Sequence, residues 1–242
     1  MDIPGSKAEM LNHLRAQGFP VPPLTFFSAA AWHGDRAACL AAMTALGADL
    51  LAVRSSSLSE DGLESSRAGA FKSVLNVLAD SEAGLLNAVE EVLESLSSPD
   101  DQVIAQAMVT EAALSGVLMT RTLDDGSPYY VVNYDDVSGR TDLVTSGRGA
   151  GKTVYIYRGV KKSDFDSPRL ADVVGLAWDL ENFFKGEPLD IEFAVEPGGR
   201  VHLLQARPIC ARRHWRPENR EEIPVPLSRR GCRIAFHKTT IR

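Results

Sequence analysis

Leu189-Asp190-Ile191-Glu192-Phe193-Ala194-Val195, then Glu196-Pro197-Gly198-Gly199-Arg200, then Val201-His202-Leu203-Leu204-Gln205-Ala206-Arg207-Pro208 reads as strand, turn and strand. Both runs alternate, and Pro-Gly-Gly between them is turn chemistry. On a pleated strand, residues two apart share a face. Asp190, Glu192 and Ala194 therefore point one way, and Leu203, Gln205 and Arg207 are expected to share a face on the return strand. Such a hairpin can gather a carboxylate, a carboxamide and a guanidinium. Oxygen ligands suit Mg²⁺ and a planar cationic fork suits phosphate, as a nucleoside triphosphate with its metal requires. Charged hairpins are common on protein surfaces, so the stretch alone points first to a solvated polar face.

The rest of the chain narrows the choice. Its 242 residues hold one large domain or two small ones. A hydrophobic fraction of 44% and a charged fraction of 24% are those of an ordinary globular protein. No apolar run approaches the roughly 20 residues of a membrane span, and Met1-Asp2-Ile3-Pro4-Gly5 does not begin a signal peptide. Cys39, Cys210 and Cys232 show no metal spacing, so a reduced, cytoplasmic setting is expected. Residues 211–242 carry nine Lys/Arg against three Asp/Glu, a balance of +6, which leaves −12 on residues 1–210. So acidic a body argues against a nucleic-acid partner, and nothing points to a membrane.

In chain order, Ser6 is a plausible cap for a short helix with Met10, Leu11 and Leu14 on its apolar stripe and Gly18 at its end. Lys7 opens that helix, where anions are favoured. Phe19 to Pro23 is an extended connection, and Ala29 to Gly47 reads as one or two helices. Leu50 to Arg54 reads as a buried strand that delivers Arg54 to a hydroxyl-rich loop. The small residues of Ser65 to Ser73, including Gly69, could lie over phosphates and donate backbone N–H groups. Leu85, Val89, Val92 and Leu96 mark a helix capped by Asp80 or Ser81. Strands are expected at Gln102–Met108, Ser115–Arg121, Tyr129–Tyr134, Leu143–Ser146 and Val154–Tyr157, forming an antiparallel sheet. Ser146 to Thr153 looks like a phosphate-binding P-loop, but position 146 is serine and the run after it is β-like, so that reading is rejected. A last helix starts at Ser167-Pro168 and stops at Lys185-Gly186. Residues 211–242 show no core-forming pattern and are expected to be an irregular basic tail.

Five ordered blocks carry a family resemblance: Gly5-Ser6-Lys7-Ala8 with Val21-Pro22-Pro23; Val53-Arg54-Ser55-Ser56; Ala68-Gly69 before Val74-Leu75-Asn76-Val77; Gln106-Ala107-Met108-Val109 with Ser115-Gly116-Val117; and Asp190-Ile191-Glu192-Phe193 with Leu204-Gln205-Ala206-Arg207-Pro208. Over roughly residues 4–209 the chain resembles the N-terminal ATP-grasp nucleotide-binding domain of phosphoenolpyruvate synthase, pyruvate phosphate dikinase and rifampin phosphotransferase. The resemblance implies an α+β, ATP-grasp-like fold with two lobes of mainly antiparallel sheet enclosing a nucleotide site. The lobes are expected at 1–103 and 104–210.

It also implies roles. Lys7, Arg54 and Arg207 look like phosphate-binding groups, the two arginines with a catalytic part. Gln106, Ala107, Met108 and Val109 look like the strand whose backbone reads adenine, and Gly69 like part of the cover over the phosphates. Glu192 and Gln205 look like the Mg²⁺ pair. The implied reaction is a dikinase step: ATP goes to AMP and a phosphoryl group passes to a histidine on a separate domain or chain. From there it reaches pyruvate or another small acceptor. That step needs positive charge in fixed geometry rather than a general base. The family's histidine motif is absent from this sequence, the first glycine pair is Gly5-Ser6, and the Glu192-to-Gln205 connection is one residue longer than the family form. The competing expectation is a non-catalytic ATP-binding or sensor module of the same origin.

Overall fold

A computed structural model describes residues 5–57, 72–139, 151–209, 215 and 235–237. The chain divides into two compact units, Met1–Thr110 and Glu111–Arg242.

Unit 1 runs α1 (Lys7–Ala16), β1 (Leu24–Ser28), α2 (Ala29–Gly34), α3 (Arg36–Thr44), β2 (Leu50–Ser56), β3 (Ser73–Leu78), α4 (Glu82–Leu93) and β4 (Gln102–Ala107). The strands form an antiparallel sheet in the order β1-β4-β2-β3. Each helix starts where a short polar side chain accepts from its first turn: Ser6 from the Glu9 N–H, Asp35 from that of Ala38, Ser81 from that of Gly84. One sheet face supplies Leu51, Val53, Val77, Val103 and Ala105 to a core closed by Trp32, Met43, Leu85, Val89 and Val92. The N-terminus of α1 is tied to the opposite face, because the Ala8 N–H donates to Ser56 Oγ and Ser6 Oγ donates to Gln102 Oε1. Strand β1 is absent from the sequence expectation. Leu24–Ser28 is bracketed by prolines and by the Ser28 cap of α2, and its pairing with β4 supplies what five residues of local pattern do not. The division falls after Thr110 rather than after Val103, since β4 is hydrogen-bonded on both edges within this sheet.

Asp101, just before β4, is buried and accepts from the N–H groups of Ser97 and Ser98 at 3.0 and 2.9 Å. Burial opposes its ionisation, but hydrogen bonds from the Ser57 hydroxyl and those two amides outweigh it and hold the carboxyl below its ordinary value of 3.8. A carboxyl held low stabilises the fold above its unfolded-state value and loses that contribution as pH falls through the folded one. In acid titrations followed by circular dichroism, Asp101→Asn should therefore lower stability at neutral pH and flatten the loss of stability below about pH 4.

Unit 2 runs β5 (Leu114–Met119), β6 (Tyr129–Asp135), β7 (Lys152–Tyr157), a 3-10 turn at Lys162–Asp164, α5 (Pro168–Phe183), β8 (Leu189–Val195), β9 (Val201–Pro208) and β10 (Ala235–His237). Its antiparallel sheet has the order β10-β7-β6-β5-β8-β9. Ser167 caps α5 with Pro168 in its first turn, and the Gly186 N–H closes the far end on the Glu181 carbonyl at 2.7 Å. Registers place Leu118, Tyr130, Val132, Val154, Ile156 and Ile191 on one buried face, the face that α5 covers with Val173, Ala177 and Leu180. Lys152 and Thr153 sit in a strand rather than at the start of a helix, in line with the rejection of the P-loop reading.

The tail is not wholly without structure. Trp215 is 3% exposed, and its Nε1 donates to the Leu123 carbonyl at 2.9 Å. Its ring lies on Gly126, where φ is +74° and an added Cβ would come within 2.5 Å of the indole. A lone aromatic in a basic stretch has no period to read, so only the packed chain reveals it. Trp215→Ala should cost about 3–5 kcal/mol, enough to lower the melting temperature by about 6 °C or more in calorimetry.

Candidate functional site

The β8–β9 hairpin turns through Glu196 to Arg200, with the Glu196 N–H donating to the Arg200 carbonyl at 2.9 Å. Asp190 faces Arg207 and Glu192 faces Gln205 across the ladder. Paired side chains of this kind stand about 5 Å apart at Cβ. The carboxylate and carboxamide expected to work together are thus direct neighbours. Glu192 is half-buried and Gln205 is 6% exposed.

Immediately after Glu192 the register shifts, and Phe193 pairs with Leu203. Leu204 is the extra residue of a β-bulge. The bulge also corrects one expectation. Leu203 does not share a face with Gln205 and Arg207; it is buried opposite Phe193, because the extra residue reverses the alternation on β9.

Arg207 donates from Nε at 3.0 Å and from Nη2 at 2.9 Å, both to Oδ2 of Asp190. The other oxygen, Asp190 Oδ1, is buried with no hydrogen-bond partner among the described residues. An unpartnered buried carboxylate oxygen is costly unless a cation or donor completes it. Asp190, Glu192 and Gln205 thus form an all-oxygen donor set on one strand pair, which is hard-cation chemistry. Among the described residues, no group of three or more His, Cys, Asp or Glu could hold a metal alone. Asp190 was legible as a neighbour of Glu192, but its orphaned oxygen is visible only in the packed hairpin.

In unit 1, Arg54 lies on β2 opposite Ile104 and Ser73, on the face that also bears Ser56 and Gln102. Since Ser56 and Gln102 anchor the start of α1, Lys7 and Arg54 belong to one side of this sheet. Gln106 lies on that face too. It is 2% exposed and its Nε2 has no hydrogen-bond partner among the described residues. The Ala107 and Met108 N–H groups are taken by the Pro23 and Leu50 carbonyls at 2.8 and 3.0 Å. Val109 follows the strand, 9% exposed. Gly69 and the loop around it lie outside the described residues, as does the expected strand at 143–146.

Below the α5 face of unit 2 lies a buried polar network. Glu181, 3% exposed, accepts from Tyr130 Oη at 3.0 Å and from Arg158 Nη1 at 2.6 Å. Arg158 stacks on the Tyr130 ring at 4.9 Å. Burial first, and the Glu181 charge second, push the Tyr130 phenol well above its ordinary range, so it stays a donor at any physiological pH. Nothing in the sequence pattern announced this network.

A family model described as pyruvate phosphate dikinase, AMP/ATP-binding domain, matches residues 36–103. A probable phosphoenolpyruvate synthase of Archaeoglobus fulgidus is 26% identical over 219 residues, covering 72% of this chain and 28% of that protein. The prodigiosin synthesizing transferase PigC of Serratia marcescens is 29% identical over 281 residues, covering 85% of this chain and 31% of that protein. The chain thus spans less than a third of either relative. Among solved structures, the D-alanine-D-alanine ligase of Coxiella burnetii matches 84% of this chain and 47% of its own at 14% identity, with a TM-score of 0.49. A likeness that distant bears on neither substrate nor mechanism.

Proposed function

We propose that this chain, an ATP-grasp-like nucleotide-binding domain of the phosphoenolpyruvate synthase and pyruvate phosphate dikinase family, binds MgATP and supplies the nucleotide half of a dikinase-type phosphotransferase. The observation that carries this reading is the registered Glu192–Gln205 pair beside the orphaned Asp190 Oδ1. Those three residues would hold Mg²⁺. The ion would neutralise charge on the phosphate oxygens during transfer.

Beside the cation donors of unit 2, Arg207 would supply further cationic charge to the phosphates; within unit 1, Lys7 and Arg54 share one side of the sheet and suit phosphate chemistry too. With the Ala107 and Met108 N–H groups already engaged, adenine would be read by the Val109 N–H and by carbonyls of the 106–109 segment. The buried Gln106 carboxamide would stand behind them. ATP and water would yield AMP and phosphate, with the β-phosphoryl group passing to a histidine on another domain or chain. That histidine would carry it to pyruvate or another small acceptor. No residue here need act as a general base, because transfer depends on charge and alignment.

A second reading is a module that binds ATP without turning it over. It is favoured by the Asp190–Arg207 pair, which already neutralises one of the arginines. Calorimetry of ATP with and without Mg²⁺, followed by an assay for AMP in the presence of a histidine-bearing domain of the family, separates the two. Mg²⁺-dependent binding with AMP formed only when that domain is added is the expected result. Binding without AMP under any condition supports the module, and no binding by folded protein refutes both.

A further inference from the structure

Thr120 follows β5 and has no solvent exposure. Its N–H donates to the Leu189 carbonyl at 2.9 Å, and its Oγ1 accepts from the Leu189 N–H at 2.9 Å. In an ordinary ladder a backbone carbonyl would receive that second bond. Here the hydroxyl does so, and the Thr120 carbonyl is free to turn elsewhere. It accepts from Arg158 Nη1 at 2.9 Å, and the same Nη1 donates to Glu181. The next pair along the ladder is Met119 with Asp190, and the next on that face is Val117 with Glu192. From the other edge, the Ile209 N–H closes the base of the hairpin on the Pro188 carbonyl at 2.8 Å.

We infer that Thr120 is a positioning residue for the cation site: its hydroxyl pins the first residue of β8, and the Arg158–Glu181 pair holds Thr120 in place. This rests on the MgATP reading above. The buried side chains Leu189, Ile191 and Phe193 already select which face Asp190 and Glu192 occupy. The clamp adds placement along the strand, where a site is sensitive to errors of about 0.5 Å. Groups that hold metal ligands in place without touching the ion alter affinity by about 10–100-fold when removed.

The test compares Thr120→Val, which keeps the shape and removes the acceptor, with Thr120→Ser, which keeps the acceptor. ATP affinity is measured by calorimetry with and without Mg²⁺. Thr120→Val should weaken MgATP binding by about tenfold and leave metal-free ATP binding unchanged, and Thr120→Ser should restore the wild-type value. Glu181→Gln should shift MgATP affinity in the same direction, and it carries the test if Thr120→Val does not fold. The inference is overturned if the variants bind MgATP like wild type, if both ATP affinities fall together, or if serine fails to rescue. A wild-type protein whose ATP binding ignores Mg²⁺ would instead remove the underlying reading, and the inference with it.

Discussion

Replacing Glu192 and Gln205 together by alanine should remove Mg²⁺-dependent ATP binding, at a cost of about 2–5 kcal/mol in calorimetry. The two side chains are direct cross-strand partners, and with Asp190 they make up the oxygen donor set. Losing both leaves Asp190 as the sole ligand, and its Oδ2 is already engaged by Arg207. Metal-free ATP binding should survive, because the two substitutions remove only oxygen ligands and no cationic group. The fold should survive as well. Glu192 is half-buried, and truncating Gln205 leaves the apolar side chains on the opposite face of the sheet, Leu203 and Ile191, in place. An equal loss of both ATP affinities with an unchanged melting curve would sink the assignment of these two residues to the metal.

Gly116→Ala should be the most damaging single methyl addition in unit 2. Gly116 lies near the middle of β5, paired with Tyr134 on one side and Phe193 on the other. A Cβ there would stand 2.0 Å from the Asn133 carbonyl oxygen and 2.8 Å from the Tyr134 Cα. Both obstacles are backbone, so no rotamer change relieves the clash, and β5 and β6 must move apart. β5 joins β6 to β8, the strand of the proposed cation site, and the strain therefore passes directly to that strand. A cost of about 3 kcal/mol or more is expected, seen as a large fall in melting temperature or as insoluble protein. Gly175→Ala is the control. It sits in α5 with nothing within 4 Å of the added carbon, and should raise stability by about 0.4–1 kcal/mol. A Gly116→Ala protein as stable as wild type would show that the two strands are not as close as this.

Much of the hairpin could be read from alternation, because a strand with one buried face must place every second side chain in the core. That argument placed Asp190 beside Glu192 and Gln205 beside Arg207. It failed at Leu203, because a single extra residue at Leu204 leaves local composition unchanged while reversing the face of everything before it. Helix starts were similarly legible at Ser6, Ser81 and Ser167, where one side chain meets one orphaned N–H a few residues away. Strand β1 was not legible, nor was the anchorage of Trp215 on Gly126, since each depends on a partner distant in sequence.

Local sequence was enough for the α+β class, for most helix starts and for the resemblance to a family. It also determined which residues carry oxygen and guanidinium chemistry. These follow from short-range rules: capping, alternation, turn residues and the order of short blocks. The packed fold alone makes Glu192 and Gln205 register partners, leaves one buried Asp190 oxygen without a donor among the described residues, and brings Thr120, Arg158 and Glu181 to the base of β8. Those facts depend on strand register and on hydrogen bonds that span dozens of residues. They exist only once hydrophobic burial has closed the sheet and left each buried polar atom with a partner or without one.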